Sequence, residues 1–433
     1  MNEVTDKRAP SDESFWSNVK KHFRKNRVAV YSLRGIYMLV ILALIADFIA
    51  NEKPLIARYK GETYFPVLKG YAVDMGLSEW PKDFQNIQWK DLKFDFAIFP
   101  PVPYLPKNID YNNSQSVGPF ESQDVKSWRW RHWLGTDELG HDVTAGMIHG
   151  TRIALTVGLV SMSIASVIGI FLGAMAGYYG DTRLKMSRGR IILNCIFLIM
   201  GIFYSFGSRS YLLGDALTTS LGSFFFEMFI SLLILSCFMF AARLLSGLLN
   251  RLPYFAKKIS VPVDIIVSRS IEIMVSIPTM FLIISIAAIV SKPSIYITMV
   301  IIGLTSWTGI ARFIRAELLR VRNLEYIEAA HALGYTEKRT LLRHAIPNAL
   351  SPVLISIAFG IASAILVESS LSFIGIGVPP ETMTWGSLLA AARVSSSAWW
   401  LAVFPGFAIF ITVTLCNLVG EGLTDALDPR LRK

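Results

Sequence analysis

Eight stretches of this chain are apolar for long enough to cross a bilayer: roughly 28–50, 153–178, 191–207, 223–249, 265–290, 295–313, 350–376 and 398–420. A spanning helix needs about 20 mostly apolar residues, because the hydrocarbon core is ~30 Å thick and each residue rises ~1.5 Å. The third stretch is the shortest of the set. The first follows a basic segment, as a signal peptide does, but exceeds a typical signal core and reads as an uncleaved anchor. The 433 residues are 53% hydrophobic and 17% charged, the balance of a polytopic membrane protein and not of a soluble multidomain enzyme.

Orientation follows from the basic residues in the connections. With the N-terminus inside, segments 1–27, 179–190, 243–270, 315–348 and 417–433 hold 25 Lys and Arg, whereas the short outer loops hold Arg209, Lys292 and Arg393. The 51–150 region has 11 Lys and Arg against 13 Asp and Glu, but a loop of that length is translocated largely regardless of charge. Both termini are therefore expected in the cytoplasm. The net charge of +10 is explained by this topology, and no nucleic-acid partner is expected.

The 51–150 region is rich in Pro, Asn, Trp and Tyr, as in Phe99-Pro100-Pro101-Val102-Pro103-Tyr104 and Trp128-Arg129-Trp130, and shows no sustained period of 3.6 or 2. It reads as an irregular extracytoplasmic cap with short elements, its aromatic and proline density favouring ordered packing. Catalytic and ligand motifs are not evident. There is no phosphate-cradling G-x-x-x-x-G-K-[ST], no H-E-x-x-H and no Cys/His cluster. His132, His141 and His149 read as loop histidines, and Cys195, Cys237 and Cys416 lie in apolar stretches, so no disulfide framework is indicated. The chain does not read as an enzyme and no bound metal or cofactor is expected.

A soluble-looking piece, Glu325–Asn348, lies between two apolar stretches. Ile314, Leu318, Val321, Leu324 and Ile327 recur every three or four residues and make one apolar helical face. Ala329 and Ala330 offer a small surface to an approaching backbone. Gly334 suits a helix end with positive φ. Thr336 is placed to cap a second helix with Leu341 and Leu342 on its buried side, and Pro347 to end it before a span begins near Leu350. The spacing predicts a short helix–turn–helix, either a plain amphipathic connector or a docking element.

Glu328-Ala329-Ala330, Gly334 and Arg343-His344-Ala345-Ile346-Pro347-Asn348 together resemble the EAA loop of ABC importer permeases, the ending being that of the dipeptide/oligopeptide branch with Ile for Leu. Leu134-Gly135-Thr136-Asp137-Glu138-Leu139-Gly140-His141-Asp142 resembles that branch's L-G-T-D-x-x-G-R-D, with His141 in place of Arg. Leu371-Ser372-Phe373-Ile374-Gly375-Ile376-Gly377, Trp385-Gly386 and the tail Leu423–Arg430 match as well. The likeness covers roughly 128–180 and 261–433. Ile49-Ala50-Asn51-Glu52-Lys53-Pro54-Leu55 and Tyr64-Phe65-Pro66 are similar to the C-subunit analogue of the Yej-type peptide permeases.

The resemblance implies an all-α polytopic membrane protein of the type I ABC importer transmembrane fold in a bacterial inner membrane. It has six core helices where this chain has two more, so 181–260 reads as an inserted pair of helices. The expected organisation is a cytoplasmic segment 1–27, a first span 28–50, an extracytoplasmic region 51–152, a second core span 153–180, the insertion, a core 261–420 containing the loop 315–348, and a cytoplasmic tail 421–433. The implied partners are a second, distinct permease subunit, two ABC ATPases carrying ATP and Mg, an extracytoplasmic substrate-binding protein and membrane lipid. Glu328, Ala329, Ala330, Gly334, His344, Pro347 and Asn348 would then form the ATPase dock. Gly135, Thr136, Asp137, Gly140 and Asp142 carry the family motif of the outer region, and no substrate-contacting residue is assigned. Peptide, nickel and opine cargo all fit the branch, and a secondary transporter or channel is the reading from another class.

Overall fold

The computed structural model describes residues 15–85, 87–219, 221–289, 293–379, 381–395 and 397–427. Residues 1–14, Lys292 and 428–433, used above in the charge count or the tail motif, lie outside the described residues. Helices α1 (Phe15–Lys25), α2 (Arg27–Leu44) and α3 (Ala46–Ile49) lead to strands β1 (Ile56–Tyr59) and β2 (Glu62–Tyr64), helix α4 (Pro66–Asp74) and strand β3 (Phe96–Ile98). Helix α5 (Val143–Ala174) continues through a π turn, Met175–Tyr179. Strand β4 (Lys185–Ser187) precedes α6 (Arg188–Ile202), α7 (Ser210–Thr219), α8 (Leu221–Leu249), α9 (Pro253–Ala256) and strand β5 (Lys258–Ser260). The remainder is α10 (Val263–Ser276), α11 (Thr279–Ile289), α12 (Ile295–Val321), α13 (Glu325–Ala332), α14 (Glu337–Thr340), α15 (Ile346–Ala349), α16 (Ser351–Ile374), α17 (Trp385–Ala391) and α18 (Trp400–Leu427).

Among the described residues seven helices are long and apolar enough to cross a membrane, or eight if the bent pair α10–α11 is one span. That pair occupies the apolar stretch 265–290, which is bent. The chain turns by 84° where Ile277 is extended (φ −94°, ψ 124°) ahead of Pro278. Proline both disfavours the helical region for the residue before it and lacks a donor for the helix ladder.

Helix α5 begins at Val143, ten residues before the expected start of the second core span at 153. Its first turns carry His149 and Arg152, which depress the apolar signal yet are satisfied within the fold. His149 Nε2 lies 2.9 Å from the Ala50 carbonyl, and Arg152 donates to the Ala43 carbonyl (2.9 Å) and to Asp47 (2.7 Å).

The chain divides into two compact units, Met1–Met162 with Leu354–Lys433, and Ser163–Val353. In the first, α2 packs along α18, with Gly35 against Leu415 and Gly422 against Ala29. Helix α1 buries Val19 against Ala426 and Leu427. The segment before α5 holds short elements in otherwise irregular chain, as expected, and β2-β1-β3 form an antiparallel sheet with Ala57 opposite Tyr64 and Ala97. Strands of three or four residues are too short to show a period of 2. Beside the sheet, the rings of Tyr59, Phe84, Trp89, Phe94, Phe99, Trp130 and Tyr104 follow one another at centroid separations of 5.2 to 6.4 Å. Tilted and stacked ring pairs of this kind stabilise beyond simple area burial.

In the second unit, α6 and α8 pair as the inserted hairpin, Gly201 meeting Leu235 and Phe238. The short pair β4–β5 closes its base, and Arg209 forms an ion pair with Glu227 near its tip. Among the described residues the insertion thus holds two further helices, α7 and the short α9, and a strand pair besides the two expected helices. Helix α12 buries Ile301, Ile302, Ile310, Ile314, Leu318 and Val321, and Arg315 grips Asp264 of α10 with both Nε and a terminal nitrogen, the latter at 2.9 Å.

Candidate functional site

The piece from Glu325 to Asn348 is a helix–turn–helix, and its turn is built as the residue types require. Gly334 has φ +82°. The Gly334 amide donates to the His331 carbonyl (2.9 Å) and the Tyr335 amide to the Ala330 carbonyl (3.1 Å), the paired bonds of a Schellman ending. Thr336 then caps α14, accepting from the Arg339 amide at 3.4 Å. Tyr335 stacks on His344 with a centroid separation of 5.7 Å, and the Arg339 guanidinium lies 4.5 Å from the Tyr335 ring centroid.

Burial divides the expected docking residues. Glu328, Ala329, Gly334, Pro347 and Asn348 are exposed, while His344 is half-buried with its Nε2 buried and unpartnered. Ala330 is 5% exposed and faces inward with Ile327, which corrects the reading of Ala329 and Ala330 as one open surface. The apolar face of α12 continues into α13, so a residue three after Ile327 shares its buried side. Leu341 is buried as expected, but Leu342 is 55% exposed. Pro347 does not end the second helix. The π turn Leu341–Ala345 precedes it, α15 carries it in its first turn, and the next span starts at Ser351. The wider turn accommodates a ring that cannot donate, and the Asn348 side chain donates to the His344 carbonyl at 2.7 Å.

The second motif, Leu134–Asp142, forms a knot at the N-terminus of α5. Asp142 is fully buried, and its Oδ1 accepts the Ala145 amide at 2.6 Å, capping α5. Its Oδ2 lies 2.7 Å from Nδ1 of the fully buried His132, whose Nε2 is 3.2 Å from Asp110. Burial opposes charge on His132, but hydrogen bonds to and the negative charge of Asp142 and Asp110 outweigh it, holding the imidazole above its ordinary value. Burial likewise opposes ionisation of Asp110, yet hydrogen bonds from Asn113 and His132 hold its carboxyl below the usual range.

Asp137 accepts the Leu139 amide (3.0 Å) and the His141 amide (2.8 Å), and it pairs with the His141 ring at 2.8 Å. Thr136 donates to the Asn113 carbonyl at 2.7 Å, and its own carbonyl accepts from Trp400 Nε1 at 3.0 Å. Gly135 lies beneath Val117 and Trp400. At Gly140, φ is +92° and an added Cβ would meet the Asp110 carbonyl, so only glycine fits. The motif residues are thus brought together as a structural clasp, and each of the three histidines read as loop residues has a polar partner.

The Leu371–Gly377 and Trp385-Gly386 stretches meet each other. Gly386 packs on Ser369 and Ser372 of α16, Trp385 donates to the Met147 carbonyl at 3.1 Å, and the buried Glu368 accepts from Ser372 at 2.6 Å.

Two family profiles match the chain: the binding-protein-dependent transport system inner membrane component over residues 252–433, and the N-terminal transmembrane domain of oligopeptide transport permease C over residues 14–65. The chain is similar along nearly its whole length to two curated permeases. The peptidoglycan transport system permease protein YejE of Agrobacterium fabrum is 28% identical over 444 residues, 98% of this chain and 94% of that protein. The inner membrane ABC transporter permease protein YejE of Escherichia coli is 28% identical over 426 residues, 97% and 98%. Residues 252–433 belong to the binding-protein-dependent transport permeases. A putative peptide transport system permease protein of Brucella suis is 41% identical over 172 residues, covering 39% of this permease and 57% of that protein.

The permease is therefore a multi-pass inner-membrane transport subunit, and its helical architecture is that of a type I ABC importer. Three residues that tie its helix–turn–helix down were not singled out from the sequence. Arg322, the C-cap of α12, donates to the Gly177 carbonyl at 3.2 Å, and the Tyr178 hydroxyl lies 3.4 Å from His331 Nε2. A signal was present in Gly169 and Gly173 of α5 and Gly177 of the π turn that continues it, spaced by four. A Cβ on them would lie 2.8, 2.5 and 2.6 Å from the carbonyl oxygens of Trp307, Ala311 and Arg315, so the backbones of α5 and α12 are in contact.

Proposed function

We propose that this permease is one half of an ATP-driven importer of peptides or peptide-like compounds, paired with a distinct second permease subunit. Two cytoplasmic ATPases hold ATP and Mg, and an extracytoplasmic binding protein delivers cargo. Both termini and the helix–turn–helix 325–348 are cytoplasmic in this reading, and the 51–142 segment is extracytoplasmic, as the basic-residue asymmetry supports. The peptide cargo is supported by near full-length similarity to a permease named for peptidoglycan transport, together with the peptide-transport name of the Brucella relative.

The observation that carries the coupling role is the exposed Glu328–Ala329 edge of a helix whose opposite side, Ile327 and Ala330, is buried in its own chain. An element anchored on one side and charged on the other is suited to transmit force from a partner. Glu328 makes the polar contact, Ala329 permits close approach, Gly334 sets the angle between the helices, and Ala330 acts from beneath. His344, Pro347 and Asn348 shape the return to the membrane.

The test is uptake of a radiolabelled peptide, alongside radiolabelled nickel, by cells that depend on this transporter, with the complex then purified from their membranes. Glu328→Lys is expected to leave the permease inserted and to lower ATPase co-purification and peptide uptake about tenfold. Wild-type uptake and ATPase recovery in that variant refute the docking role, and uptake of nickel in place of peptide refutes the cargo.

A further inference from the structure

Tyr178 ends an apolar helix and yet is fully buried, and none of the motif residues accounts for it. Its hydroxyl lies 3.4 Å from Nε2 of His331 in α13, the same nitrogen lies 3.9 Å from the Glu337 carboxylate of α14, and Arg183 lies 5.7 Å from the Tyr178 ring centroid. One side chain thus meets α13 directly and α14 through His331, on the two sides of the Gly334 turn. The residue before it, Gly177, receives Arg322 from the end of α12, and the Gly169–Gly173–Gly177 face holds α5 backbone-to-backbone on α12. Contacts between backbones leave no flexible side chains to absorb a shift, so these helix segments move together.

We propose that Tyr178 is a positioning residue for coupling: it ties the end of α5 to α13 and, through His331, to α14, so that displacement of the helix–turn–helix carries α5 and α12 as one body. This rests on the reading of the permease as ATPase-driven. The buried ring carries most of the effect, because a 3.4 Å hydroxyl contact is at the long end of hydrogen bonding.

The test uses the complete transporter purified from membranes, carrying Tyr178→Ala, Tyr178→Phe, His331→Ala or the Tyr178→Ala/His331→Ala pair. Bound ATPase per permease, basal hydrolysis, hydrolysis stimulated by cargo-loaded binding protein, and peptide uptake are measured. Tyr178→Ala is expected to keep ATPase stoichiometry and basal hydrolysis while stimulated hydrolysis and uptake fall about tenfold. Tyr178→Phe falls about threefold or less, and the double variant is no worse than Tyr178→Ala, since both remove one shared contact. Normal uptake in Tyr178→Ala overturns the proposal alone, as does a loss that merely tracks lost ATPase stoichiometry. Absence of ATPase from the wild-type preparation overturns the coupling reading and this proposal with it.

Discussion

Replacing Asp142 by Ala removes two interactions at once, and both can be weighed. The side chain caps α5 through the Ala145 amide, and such a cap contributes roughly 0.5–2 kcal/mol. It also faces His132 at 2.7 Å with both side chains fully buried, and removing one partner of a buried pair costs about 3–5 kcal/mol. Asp110, still 3.2 Å from the other ring nitrogen, retains part of the charge compensation, so the expected total is about 4 kcal/mol. The assay is thermal unfolding of the purified permease by tryptophan fluorescence, Trp130 and Trp400 both lying beside the knot. The apparent Tm is expected to fall by about 5 °C, and Asp142→Asn, which keeps a capping oxygen, to fall about half as far. The sign with pH follows from His132, whose folded value is raised. Its contribution is fully present below the unfolded value of about 6.5 and is lost as pH rises through the folded value. Wild-type permease therefore loses stability across that window and Asp142→Ala loses less. A variant within about 1 kcal/mol of wild type, or with an unchanged pH response, refutes the assignment of the knot.

Two further substitutions probe the helix contacts. Gly173→Leu forces a Cβ to within 2.5 Å of the Ala311 carbonyl, which α12 must vacate; a stability loss of about 1–3 kcal/mol with loss of uptake is expected by thermal unfolding and transport assay. Arg152→Ala leaves the Ala43 carbonyl without its side-chain donor and the Asp47 carboxylate, 16% exposed, without its guanidinium; about 2–4 kcal/mol of destabilisation is expected in the same unfolding assay, and Arg152→Lys restores only part because it cannot bridge both acceptors.

Much of the fold was legible because lipid imposes a simple requirement. A segment must be about 20 apolar residues long to span, so span positions followed from composition alone, apart from two failures. Arg152 and His149 hid the first turns of α5, because only partners distant in sequence make polar groups tolerable there. Pro278 carried the break between α10 and α11 in plain view, but an apolar window does not register backbone geometry. The short strands β1–β3 left no periodic trace.

Within the helix–turn–helix, local chemistry determined what local chemistry can. Gly334 adopts its positive φ, Thr336 caps, and Ile314, Leu318, Val321 and Ile327 line one buried face, because each depends on neighbours a few residues away. Which side of α13 meets solvent depended on packing, so Ala330 turned inward while Ala329 remained exposed. The sequence by itself determined a membrane-spanning helical chain with its motifs and its charged helix–turn–helix. Only the tertiary structure decided that Asp142 pairs with His132 and that Tyr178 lies against His331, 153 residues further along. Such pairs depend on how helices are brought together in space, and no local spacing encodes them.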